Sequence, residues 1–294
     1  MTRESIRFDA LDGRSLAADL FVPDAAPTSR VIVAPAMGVP RRVYGKLASF
    51  VADAGALVMV IDYRGIGDSR SGSVRTIDAK LSDWAELDLA GAVRELERRA
   101  PSVPLRWIGH SVGGQLMGLV KDAPIDRAVF FASQSGHWRH WGVRGRPVMW
   151  TLWNLAIPIT TRVLGYYPGA MLGGGEDLPA GVVRQWASWG RHRGYVQSYA
   201  EKRDGDPVFA TTSAIRAYAF TDDDYAPERA VRALLDAYGR AETELRVVAP
   251  AQIGKKKIGH FGVLRDDVRA SIWTEARAWL LDPASLRPLT SSSA

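Results

Sequence analysis

The chain has 294 residues, 47% of them hydrophobic and 24% charged, with a net charge of +6. This composition is globular and excludes wholesale disorder, and the length suits one large α/β domain carrying an insertion. The absence of cysteine excludes disulfides and thiol catalysis, fits a reducing, cytoplasmic setting, and with only five histidines argues against structural zinc.

The first residues, "MTRESIRFDALDG", lack the apolar stretch of a secretory signal, so none is expected. No apolar run approaches the roughly 20 residues of a membrane span. "SIRFDA" (5–10) and "SLAADLFVP" (15–23) read as a strand hairpin across Asp12-Gly13. "RVIVAPA" (30–36) and "ALVMVID" (56–62) are short continuous apolar runs, the pattern of strands buried on both faces of a parallel sheet. "RVYGKLASFVADAG" between them has helical spacing and stops at Gly55. An amphipathic helix over "DWAELDLAGAVRELERRA" (83–100) leads to the strand "PLRWIGH" (104–110), a helix over "SVGGQLMGLVKDA" and the strand "DRAVFFAS" (126–133). The strand–helix alternation predicts a parallel sheet with right-handed crossovers.

The rhythm breaks after Ser133. Residues 134–206 hold six of the ten tryptophans, glycine-rich "LGGGEDLPAG", and nine Lys/Arg against five Asp/Glu, so that +4 of the +6 lies there. Most of these tryptophans are expected to build the insertion's own core, and its basic residues to be solvated surface, although a basic field can also favour anionic substrates. The α/β pattern resumes with "AIRAYAFTDD" (214–223), a helix over "APERAVRALLDAYG", the strand "ELRVVAP" (244–250) and the helix "VRASIWTEARAWLL". The organisation expected is a core at 1–133 and 207–285, an insertion at 134–206, and a loose tail at 286–294.

Gly109-His110-Ser111-Val112-Gly113 follows directly on a strand. With 28 glycines and 20 serines, chance gives roughly 0.2 copies of G-x-S-x-G, so the context carries the reading. A strand, this pentapeptide and then a helix make a nucleophile elbow, in which a tight turn exposes the serine Oγ. The following helix points its N-terminus at Ser111 and leaves the Val112 N–H to donate to an oxyanion. A serine needs a base. His110 lies inside the elbow, facing away from Oγ, and His137, His140 and His192 lie in the insertion. His260, in "KIGHFGVLR", sits in the loop after the last core strand, where a base would hang over the serine. "AFTDDDYAP" offers Asp222, Asp223 and Asp224 as the carboxylate that orients the base. Their mutual repulsion leaves at most one buried against an imidazole. Lys255-Lys256-Lys257 beside His260 reads as a solvated run; the other reading is a set of cations that disfavours the imidazolium.

Taken together these features resemble the α/β-hydrolase superfamily over most of the chain: Ser111, an aspartate at 222–224, then His260 reproduces its order of nucleophile, acid and base. In many relatives the acid precedes a proline by four positions, which selects Asp223 before Pro227, with Asp222 second and Asp224 third. "DYRGIGDS" (62–69) is similar to the family's segment after its strand. "APAMGVPRRVYGKLA", "DWAELDL", "GYYPGAMLGGGEDLPAGVVRQWASWGRH" and "GHFGVLR" resemble a subgroup of bacterial hydrolases that is poorly characterised biochemically. The resemblance implies the α/β-hydrolase fold, a mostly parallel central sheet flanked by helices with a helical lid insertion. Many relatives carry His-Gly where the second oxyanion donor sits; here the stretch is Ala34-Pro35-Ala36-Met37-Gly38. Pro35 has no N–H, so Met37 is the donor selected and Ala36 the alternative.

The expected function is a serine hydrolase cleaving a carboxylic ester or related acyl bond through an acyl-enzyme. Acyl transfer by the same triad, and a non-catalytic ligand-binding relative, are the alternatives. The expected partner is a small-molecule acyl substrate, with no metal or organic cofactor, no nucleic acid and no stable membrane insertion; a homodimer stays open.

Overall fold

Three wholly buried strands form the middle of an eight-stranded sheet. Every residue of β3 (Ser29–Ala34), β4 (Ala56–Ile61) and β5 (Leu105–His110) is buried, as strands covered on both faces must be. The computed structural model describes residues 1–171, 175–200, 209, 211 and 213–282. Residues 172–174 and 201–206 of the expected insertion, and the expected tail at 286–294, lie outside the described residues.

With β1 (Thr2–Asp9), β2 (Ser15–Val22), β6 (Ile125–Phe131), β9 (Ala214–Phe220) and β10 (Glu242–Val248), the sheet order is β1-β2-β4-β3-β5-β6-β9-β10. The small pair β7 (Tyr166–Tyr167) and β8 (Leu178–Pro179) stands apart from it. β1 pairs antiparallel with β2 as the hairpin across Asp12-Gly13, and β2 pairs antiparallel with β4. All other neighbours in the sheet are parallel. At the two edges the side chains are charged: β1 exposes Arg3, Glu4, Arg7 and Asp9. Around β10, Arg216 pairs with Glu244 at 2.8 Å and Arg246 with Glu275 at 2.9 Å.

The helix expected over 111–123 is shorter than its sequence suggests. It runs over Val112–Leu116 and tightens into a 3₁₀ turn at Met117–Leu119. The reason is long-range: the Gly118 N–H donates to the Tyr238 hydroxyl at 2.9 Å, and its carbonyl accepts from Phe209. These bonds from distant elements replace the helical ladder. The helix over 83–100 forms, but as a π turn at Trp84–Leu89 followed by Ala90–Arg99.

Between β6 and β9 the described residues form helical segments over Gly145–Leu164, interrupted by a π turn at Leu152–Ala156, and a helix over Ala180–Arg191. Trp141, Trp153 and Trp189 are buried. Trp153 meets Trp186 edge-on at 4.6 Å and donates to the Gly136 carbonyl. The Trp186 indole donates to Tyr195, whose hydroxyl donates to Gln115 on the helix after Ser111. Trp153 and Trp189 thus lie in the same hydrophobic cluster as the sheet strands, with Trp186 packed against it, whereas Trp150 is exposed. Among the described residues no helix is long and apolar enough to cross a membrane.

The turn after β5 is packed with almost no slack. A Cβ on Gly113 would sit 2.0 Å from the Ala34 carbonyl oxygen of β3. Gly113→Ala should therefore lower the urea-unfolding free energy by about 3 kcal/mol or more. Gly142→Ala, where a Cβ meets nothing within 4 Å, is the matched control and should change little. Equal unfolding curves for the two variants would contradict this packing.

Candidate active site

β5 delivers Ser111 to its carboxyl end with φ 52° and ψ −115°. A serine rarely adopts this backbone, and the surroundings hold it there. Its N–H donates to Phe131 of β6 at 2.9 Å and its carbonyl accepts from Gly114 at 3.2 Å. Val112 is the first residue of the helix, and among the described residues its N–H has no acceptor, as expected for a first-turn donor.

β9 ends at Phe220, so the three aspartates lie in the loop beyond it, and the structure separates them. The Asp223 Oδ2 is 2.8 Å from His260 Nδ1, and both side chains are buried. Its other oxygen accepts the N–H groups of Tyr225 and Ala226 at 2.8 and 3.1 Å. Asp222 turns the other way and accepts from the backbone of Ile258 and Gly259, at 2.9 and 3.1 Å, holding the loop that carries His260. Asp224 is exposed, and its carbonyl accepts from the Trp141 indole.

His260 in turn lies against the elbow. Its carbonyl accepts from His110 Nε2 at 2.9 Å, and the two imidazole rings are 5.1 Å apart. His110 Nδ1 is 2.8 Å from the Tyr44 hydroxyl. Since Nε2 donates to a carbonyl, Nδ1 is the acceptor and Tyr44 the donor. The Tyr44 oxygen accepts the Ala36 N–H at 2.8 Å. One buried chain of bonds thus joins the loop after β3, the residue before Ser111, and the backbone of His260. Burial, with His260 nearby, lowers the His110 pKa to about 3, so this imidazole stays neutral.

This chain bears on the two N–H groups after β3. The Ala36 N–H is committed to Tyr44, whereas the Met37 N–H has no acceptor among the described residues. Of the lysines beside His260, Lys255 pairs with Asp267 at 3.3 Å and Lys256 and Lys257 are exposed. His137 Nδ1 donates to the Gly190 carbonyl at 3.3 Å, and with His140 and His192 it lies in the segment between β6 and β9. Sequence reasoning assigned no role to Tyr44, because a tyrosine at helical spacing looks like core. Its only signal was a histidine, His110, at the end of a strand that is otherwise mostly apolar.

A carboxyl esterase from Bacillus coagulans superposes with TM-score 0.61 at 13% identity, covering 96% of this chain and 99% of its own. A serine hydrolase without a lid from Xanthomonas campestris gives 0.56 at 14% identity, covering 95% and 96%. The chain has the α/β-hydrolase fold. The family model for serine aminopeptidases (S33) matches residues 25–163. A monoacylglycerol lipase of Mycolicibacterium smegmatis is 31% identical over 116 residues, which is 40% of this chain and 40% of the lipase. The match to that relative thus spans two fifths of its length.

Neutral His110 has a measurable consequence. In the unfolded chain it binds a proton near pH 6.5, but in the folded chain only near 3. Between these values the unfolded state binds more protons, so this group's contribution to stability falls as pH drops below about 6.5, by at most about 1.4 kcal/mol per unit. His110→Gln removes that slope. The variant should be less stable than wild type at pH 8, and the gap in melting temperature should narrow as pH falls to 5. A gap that stays constant would mean His110 is not held neutral.

Proposed function

We propose that the protein is a serine hydrolase that cleaves carboxylic esters through an acyl-enzyme. The observation that carries this reading is the buried 2.8 Å contact between His260 Nδ1 and Asp223 next to a serine held at φ 52°. Asp223 fixes the tautomer with the proton on Nδ1, so Nε2 is the base. Nε2 takes the Ser111 hydroxyl proton as Oγ attacks the ester carbonyl. The N–H groups of Met37 and Val112 receive the oxyanion. The tetrahedral intermediate collapses as His260 returns the proton to the leaving alkoxide. A water molecule, deprotonated by the same Nε2, then attacks the acyl-enzyme, releasing the acid and restoring Ser111. His110 takes no proton in this cycle, since burial keeps it neutral.

The relative described as a monoacylglycerol lipase and the neighbours described as esterases support an ester as substrate. The family model's description makes an aminoacyl amide the competitor. A panel of p-nitrophenyl esters of rising acyl length beside aminoacyl p-nitroanilides separates the two, and faster turnover of the anilides would overturn the ester assignment.

Ser111→Ala should abolish turnover and fluorophosphonate labelling while moving the melting temperature by only a few degrees. Asp223→Asn should lower kcat by about 10⁴ through loss of the imidazole's orientation. Asp222→Asn, which disturbs only backbone contacts of the loop, should cost far less, and Asp224→Asn almost nothing. Wild-type kcat in Asp223→Asn would place the acid elsewhere.

A further inference from the structure

Glycine-rich "LGGGEDLPAG" has no part in the mechanism above, yet its described end touches the loop that carries Met37. Residues Ala36–Val39 form a turn closed by the Val39 N–H on the Ala36 carbonyl at 3.2 Å, with Gly38 at φ 69°. The Met37 N–H lies inside this turn, so its direction is set by whatever holds the flanking peptides. On one side the Ala36 N–H is bonded to Tyr44. On the other, the Gly38 carbonyl accepts the Glu176 N–H at 2.7 Å. That approach needs glycine at 175: its φ is +100°, and a Cβ there would fall 2.4 Å from the Gly38 oxygen.

The Glu176 side chain anchors the same point to a second loop. Its Oε2 accepts the Gly67 N–H at 2.9 Å, and its Oε1 lies 3.4 Å from Arg42. The Gly67 loop is itself fixed, because Asp62 accepts the Asp68 N–H at 3.0 Å and pairs with Arg41. Arg42 is largely exposed, so its ion pair is worth little. The bond to Gly67 is the one that orients Glu176.

We propose that Glu176 is a positioning residue for the oxyanion donor: by bridging the Gly67 loop to the Gly38 carbonyl it holds the Met37 N–H in its aim. This inference rests on Ser111 being the nucleophile. A well-aimed oxyanion donor is worth about 10²–10³ in kcat, and one whose turn is held at one end only loses part of that. The assignment differs from a plain staple between insertion and core, which would change stability and leave the chemistry of folded molecules intact.

The test uses Glu176→Ala, Glu176→Asp and Glu176→Gln in the full chain, with p-nitrophenyl butyrate as substrate. Rates are counted per active site by fluorophosphonate titration, so unfolded molecules do not register. Glu176→Ala should lower kcat about tenfold with KM within about twofold, and should weaken a trifluoromethyl ketone, whose hemiketal carries the oxyanion, by the same factor. Glu176→Asp keeps the charge but is too short to span to Gly67, and should behave like the alanine variant. Glu176→Gln keeps an acceptor for Gly67 and should stay within about threefold of wild type. Wild-type kcat per site in the alanine and aspartate variants, or loss confined to melting temperature, overturns the proposal. So does a glutamine variant as impaired as the alanine one, since charge and not bridging would then matter. Failure of the hydrolase reading shows separately, as absent turnover in wild type or persistent turnover in Ser111→Ala.

Discussion

The structure depends on one close passage of backbones. For Ser111 to stand at φ 52° at the tip of β5, the helix behind it must run against β3 with no side chain between them, and Gly113 against the Ala34 carbonyl meets that demand. Strain of this kind persists only where its surroundings over-determine it. Here the elbow is bonded to β6 through Phe131 and closed on itself through Gly114. The helix is held from behind by Tyr238, whose hydroxyl donates to the Gly114 carbonyl at 2.7 Å.

Around this passage, loops from distant parts of the chain are joined by buried polar bonds instead of by apolar contact alone. Tyr44, His110 and the His260 carbonyl form a single file from the first third of the sequence to the last. Each group in the file is satisfied, so its burial carries no penalty for an orphaned donor. A directional link of this kind fixes distances between loops more sharply than side-chain packing does, because a hydrogen bond loses its value within a few tenths of an ångström.

The sheet was legible because its middle strands carry continuous apolar stretches, at 31–34 and 56–61, and such runs have few other fates. The elbow was legible from five residues, since strand, serine and small residues coincide there. Among the aspartates, residue chemistry alone left 222–224 equivalent; the spacing to Pro227 in the resemblance selected Asp223, and the turn after Phe220 sets that residue against His260 and Asp222 against the backbone of Ile258. The helix after Ser111 was read too long because its interruption comes from Phe209 and Tyr238, which lie far along the chain. Tyr44 and Glu176 escaped for the same reason: each acts through a bond to a backbone atom, and backbone leaves no compositional trace.

The outermost strands carry a further consequence. Both edge strands expose charged side chains, Arg3, Glu4, Arg7 and Asp9 on β1 and Glu242, Glu244 and Arg246 on β10. An incoming strand of any other polypeptide would have to strip water from these groups before it could pair. Charged edge strands of this kind disfavour edge-to-edge pairing between copies, the route by which exposed strands template aggregation.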